Sequence, residues 1–208
     1  MLKDTLVDAL YEIWPMVFIF TVILSTVRIA FLISKRQKFI LYKEFFSLSF
    51  IIYILILFYI VTFQDISGIG SSNFTPFKEM FRYDIGSKLF IKNIGGNLLL
   101  FVPFGVFVSY YIKNYKLFPV LVLSFISSLS IELTQYKIGR VFDIDDIILN
   151  MIGGLLGYMF FIAIDAIVKR LPRIMQREWF INLIFIILVV LIILYFLNFD
   201  TAILGGII

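Results

Sequence analysis

The chain contains no cysteine and no histidine in 208 residues. Without cysteine, disulfides, thiolate catalysis and thiolate-held metals are excluded. Without histidine, the commonest general base, proton shuttle and transition-metal ligand are missing. Any chemistry therefore falls to carboxylates, amides, hydroxyls, Arg, Lys or Tyr. Charge is also scarce: only 15% of residues are Asp, Glu, Lys or Arg, against 62% hydrophobic. Soluble domains carry about a quarter charged residues, so this balance belongs to an integral membrane protein. No stretch of soluble-domain size interrupts the apolar segments, and we read residues 1–208 as a single membrane domain. The net charge of +4 sits in short loops rather than along one extended face, which argues against nucleic-acid binding.

What is present is a series of apolar runs. Residues 1–13 place Asp4, Asp8 and Glu12 four apart on one helical face, and suggest a short interfacial helix. This start has neither the basic residues nor the small-residue cleavage site of a signal peptide. Spans are then expected at about 14–34, with Pro15 in its first turn, and at 45–63. Arg28 inside the first span can snorkel or pair with an acid. Residues 64–93 form the longest polar connection, with turns marked by Gly68, Gly70, Ser71, Ser72, Asn73 and Pro76. Phe74, Phe77, Met80 and Phe81 make it too apolar for a solvated loop, so we expect an interfacial segment with a short helix opening at Pro76. Further spans are expected at 94–112, broken by Pro103, at 117–134, at 147–168 and at 180–199. The fold class predicted is all-α, a polytopic membrane protein of about six helices.

Orientation follows from the basic loops. Residues 34–45, 113–116 and 169–177 hold four, two and four Lys or Arg, and six spans put all three on one side. By the positive-inside rule that side is cytoplasmic, which leaves both termini and the 64–93 and 135–146 connections extracytoplasmic.

The stretch SIELTQYKIGRVFDIDDIILNMIGGLLGY, residues 130–158, concentrates polarity between two apolar spans. Polar groups at membrane depth are expensive, and they are generally buried together and functional. Glu132 and Gln135 share a helical face, and so do Asp146, Asn150, Gly153 and Gly157. The Gly153–Gly157 spacing suits close helix packing. Asn97 lies at the same membrane level, so Asn97, Glu132, Gln135, Arg140, Asp143, Asp146 and Asn150 can converge on one pocket. Asp145 points off the Asp146–Asn150 face. Each residue also has a plainer reading: Asp146 as a helix N-terminal acid, Arg140 paired with Asp143, and Asn150 bonded across helices.

These residues carry a resemblance. NFTPF (73–77), NLLLFVPFG (97–105) and IELTQYKIGRVFDIDDIILNMIGGLLG (131–157) resemble the VanZ-like membrane family over roughly residues 73–158. The last helix, 180–199, is an addition to that core. The pattern falls on Asn73, Pro76, Phe77, Asn97, Pro103, Gly105, Glu132, Gln135, Arg140, Asp143, Asp146, Asn150, Gly153 and Gly157. The resemblance implies a multi-pass protein of the bacterial cell membrane, in a family named for a teicoplanin-resistance protein, with an influence on the envelope or on glycopeptide sensitivity.

Three functions compete. The first is a site for an envelope lipid, its headgroup or a glycopeptide-related ligand. Glu132, Asp143 and Asp146 are then the candidate catalytic acids, and Arg140, Asn97, Gln135, Asn150 and Asn73 the ligand-binding groups. Whether any bond is made or broken stays open. No cofactor or metal is assigned, although three neighbouring carboxylates have the chemistry for Mg²⁺ or Ca²⁺. The second is a route for a small solute or lipid, favoured by the broken third span. The third is a scaffold docking a membrane-protein partner through Gly153 and Gly157.

Overall fold

The computed structural model describes residues 2–63, 72–82, 84, 86–113 and 115–204. Gly68, Gly70, Ser71 and the tail 205–208 lie outside the described residues, as do the side chains of Asp4 and Asp8 and those beyond Leu191. The elements are α1 (Leu2–Ser34), α2 (Leu41–Phe63), a short α3 (Lys88–Phe90) running through a π-helical turn (Ile91–Gly95) into α4 (Gly96–Ile112), then α5 (Leu117–Lys137), α6 (Ile144–Arg170) and α7 (Glu178–Leu204). Five stretches are long and apolar enough to cross a membrane: Glu12–Ser34, Leu41–Thr62, Lys88–Ile112, Leu117–Lys137 and Ile144–Arg170. Within the last helix the described side chains give a shorter apolar stretch, Glu178–Leu191. The protein is an all-α polytopic membrane protein.

Several boundaries differ from the sequence reading, each for a local reason. The expected interfacial helix and first span are one helix, because Pro15 removes a single hydrogen bond from an otherwise unbroken helical run. The fifth span begins at Ile144 rather than 147, because Asp143 caps it: its side chain accepts from the Asp145 N–H at 2.9 Å. The segment after Asn73 forms turns in place of the expected short helix. The fourth span extends to Lys137, which keeps Gln135 on the helix.

The centre of the molecule is the trio α4, α5 and α6, with α6 packed most extensively on α4. Glycine permits this contact. A Cβ on Gly157 would overlap the Val102 carbonyl oxygen, and one on Gly105 the Gly154 carbonyl oxygen. The Gly153–Gly157 face expected to meet another helix is thus filled by α4 of the same chain. Phe101, Phe104, Val108 and Val120 form the buried core, with Tyr53 of α2 packed against it. The Tyr53 hydroxyl donates to the Leu100 carbonyl at 2.8 Å, beside the turn that Pro103 leaves short of a donor.

Outer helices are joined to the trio through α2. Arg28 meets Glu44 with two bonds of 2.8 and 3.1 Å, so the cation inside the first span is paired. At the start of α2, Lys38 and Lys43 both contact Glu178 of α7, at 2.9 and 3.0 Å. There the Asn182 side-chain oxygen accepts from the Tyr42 N–H at 3.1 Å, serving one of the amides a helix start leaves unpaired. The polar start of α7 is therefore a clamp on α2.

Candidate functional site

Three elements supply the polar cluster. On α5, Ser124, Ser128, Glu132 and Gln135 are buried and follow the helical repeat down one face. On α6, Asp146 and Asn150 occupy successive turns facing it. On α4, Asn97 follows directly on the π-helical turn, a distortion that recurs at functional sites. The loop 138–143 returns Arg140 over the same place.

Between them lies a cavity of about 70 Å³, lined by Asn97, Glu132, Gln135, Arg140, Asp146 and Asn150, with apolar walls that include Leu57, Ile60 and Val61 of α2 and Phe101 of α4. Its bonds form a chain. Asp143 N–H donates to Glu132 Oε2 at 2.9 Å. Gln135 bridges the other side, its nitrogen donating to Glu132 Oε1 at 3.0 Å and its oxygen accepting from Arg140 Nη1 at 3.1 Å. The same Arg140 nitrogen donates to the Val61 carbonyl, one of the last of α2, at 2.8 Å. Asn97 Nδ2 donates to Asp146 Oδ1. Asn150 Nδ2 donates to Ser128 Oγ at 2.9 Å, while Asn150 Oδ1 is buried without a partner among the described residues. An orphaned buried acceptor of this kind calls for a water or ligand donor.

Two candidate residues sit outside the cavity. Asn73 pairs with the loop preceding α6: its N–H donates to the Phe142 carbonyl at 2.8 Å, and its carbonyl accepts from Ile144 N–H at 3.1 Å. Its side-chain amide donates to Asp143 Oδ1 at 2.8 Å. Asp143 thus holds Asn73 and caps α6 with its side chain, while its N–H reaches Glu132. Burial pushes the Asp143 carboxyl above its ordinary pKa, opposed by the hydrogen bonds from Asp145 N–H and Asn73. Arg140 does not pair with Asp143; its partners are Gln135 and Val61. Two carboxylates, Glu132 and Asp146, line the cavity, and no group of three acids among the described residues is arranged to hold a metal ion.

Asp145 is the residue that the sequence reading set aside. It does point off the Asp146 face, and it is 1% exposed. Its carboxylate accepts three backbone amides of the incoming segment: Phe77 N–H at 2.5 Å, Glu79 N–H at 2.8 Å and Met80 N–H at 3.1 Å. The chain wraps this anion, and Phe77 takes a left-handed conformation, φ +67°, to do so. Phe74, Phe77 and Phe81 remain exposed, as an interfacial segment requires. The only signal in the sequence was an acid beside Asp146 with no place in the pocket; its partners are main-chain groups that no side-chain pattern reveals.

The VanZ/LLP1 family pattern matches residues 50–168. The chain belongs to the VanZ/LLP1 family. The matched range begins within α2 and covers α3 to nearly the end of α6, and so contains every cavity-lining residue named above. No curated protein and no solved structure matches the chain. The VanZ-like core is thus the trio with the adjoining part of α2, while α1 and α7 lie wholly outside the match.

Proposed function

We propose that this VanZ-like membrane protein binds the polar headgroup of an envelope lipid in the α4–α5–α6 cavity, and through it affects glycopeptide susceptibility at the bacterial cell membrane. The observation that carries the reading is the cavity itself. In a chain 62% hydrophobic, a carboxylate-, amide- and guanidinium-lined hollow sits among helices otherwise packed by glycine and phenylalanine. A fold needing only a polar lock would close such groups on one another. Here, among the described residues, Asn150 Oδ1 is left without a partner, and Arg140, with five donor hydrogens, has a single nitrogen engaged.

In this reading Arg140 grips the anionic part of the headgroup through its free fork. Glu132 is held in one orientation by two donors, the arrangement of a group that meets a ligand in a fixed pose. In this reading the cavity's end of the bundle and both termini face outside the cytoplasm, which the basic loops at 34–45, 113–116 and 169–177 support.

The test uses Glu132→Gln and Asp146→Asn in cells challenged with teicoplanin. At wild-type membrane abundance each variant should lose most of the protection conferred by the wild-type chain. Full protection by both variants overturns the link to susceptibility. Native mass spectrometry of the purified protein should show a retained lipid, and a lipid-free spectrum from mild detergent overturns the binding reading.

A further inference from the structure

The cavity's unused hydrogen-bonding capacity is unequal, and its inequality says what kind of group fits. Near Asp146 each amide nitrogen of the protein already gives one hydrogen to a protein acceptor. Asn97 Nδ2 is on Asp146 Oδ1, and Asn150 Nδ2 is on Ser128 Oγ. Two acceptors there remain open. Asn150, 5% exposed, has an Oδ1 with no partner, and the second oxygen of Asp146 has none among the described residues. Asp146 and Asn150 are four residues apart on α6, so both project from one face, about 6 Å apart along the axis. Glu132 is different, since both its oxygens already accept from Gln135 and Asp143. Arg140 gives Nη1 to the Val61 carbonyl and Gln135, and its other two nitrogens have no bond among the described residues.

Resting on the headgroup reading above, we propose that the Asp146–Asn150 end of the cavity is a site for a primary ammonium group. An ammonium brings several donors and no acceptor, and so matches the two open acceptors there, the second Asp146 oxygen and Asn150 Oδ1. It also brings a cation to a carboxylate buried among apolar helices, beside that of Arg140. A phosphate brings only acceptors there, and would face the Asp146 carboxylate and the Asn150 oxygen unpaired. It belongs at Arg140. The ligand class is therefore zwitterionic: an amine at Asp146 and Asn150, with an anionic group toward Arg140. A trimethylammonium group has no N–H to give to the Asn150 oxygen, so the same end of the cavity favours the primary amine by its donors.

The amine can come from a lipid headgroup or a free solute, and the experiment separates them. The full-length protein is reconstituted in phosphatidylglycerol nanodiscs. These are titrated with phosphatidylethanolamine, with phosphatidylcholine, or with free ethanolamine, and lipid retention is read by native mass spectrometry alongside the thermal midpoint. The expected result is at least tenfold preferential retention of phosphatidylethanolamine over phosphatidylcholine, with free ethanolamine competing weakly. Asn150→Leu and Asp146→Asn should each abolish the preference without abolishing lipid retention as such. Equal retention of the two lipids by the wild-type protein overturns the ammonium site and leaves the headgroup reading standing. Retention of neither lipid, with stabilisation by free ethanolamine, supports the ammonium site and overturns the lipid reading. No response to any of the three overturns both. The wild-type series decides the matter even where a variant fails to fold.

Discussion

Single residues in this chain hold more than one element, and Asp145 holds the most. Its carboxylate is the meeting point of three backbone amides from residues 77–80, and hydrogen bonds to a charged acceptor contribute about 1.5–3 kcal/mol each. Asp145→Ala leaves those amides unpaired around a void. We expect a loss of about 3–5 kcal/mol, since breaking a buried charge network falls in that range. Limited proteolysis should then cut near Phe77, where the wild-type segment resists. Unchanged protease resistance would show that the segment is held by something else. Asp143 makes a different prediction because its carboxyl is held above its ordinary pKa by burial. The folded state then keeps a proton that the unfolded chain gives up near pH ~4. Stability from this group is full below that pH, and falls as pH rises through the raised folded value. Asp143→Asn keeps an N-cap oxygen for Asp145 but cannot ionise. Its thermal midpoint should decline less than that of the wild type between about pH 4 and pH 7. Parallel pH profiles would count against the buried carboxylate.

At the scale of elements, the contact that sets the cavity's shape is α4 on α6. Gly157 meets the Val102 carbonyl and Gly105 so closely that any side chain must force the helices apart. Gly157→Ile should destabilise by about 1–3 kcal/mol or more, and lower the amount of folded protein. Gly96→Ala is the control. Nothing lies within 4 Å of its would-be Cβ, and alanine favours helix over glycine by up to about 1 kcal/mol, so it should be neutral or stabilising. If both variants fold alike, close α4–α6 approach is not what glycine provides here. The helices and the pocket were legible in the sequence for the same reason. Apolar runs of span length locate the helices, and the helical repeat alone puts Glu132 with Gln135 and Asp146 with Asn150. The early start of α6 was not legible, because Asp143, Asp145 and Asp146 are all plausible first-turn acids and only geometry assigns the cap to Asp143. The wrap around Asp145 and the Arg140–Val61 contact were hidden because one partner in each is main chain.

For the whole molecule, the family match and the packing divide the chain at the same places. α7 holds α2 at its beginning, through Glu178 and Asn182. The cavity touches α2 near its far end, at Leu57, Ile60 and Val61. From Tyr42 to Val61 is ~28 Å along a helix at 1.5 Å per residue, roughly the thickness of the hydrocarbon core. The clamp and the cavity thus act on opposite ends of one span, and among the described residues the α4–α5–α6 walls pack chiefly on one another. A chain ended after Arg177 should therefore insert, keep its lipid retention and keep the lipid preference of the full-length protein. Its thermal midpoint should fall, since α2 loses Glu178 as the partner of Lys38 and Lys43 and Asn182 as the acceptor for Tyr42. Native mass spectrometry of the shortened chain beside the full-length protein makes the comparison. If the shortened chain inserts normally but its lipid is lost, then the hold of α7 on the start of α2 reaches the Val61 carbonyl and the Arg140 it holds. The cavity would then be a property of the whole bundle rather than of the VanZ-like core.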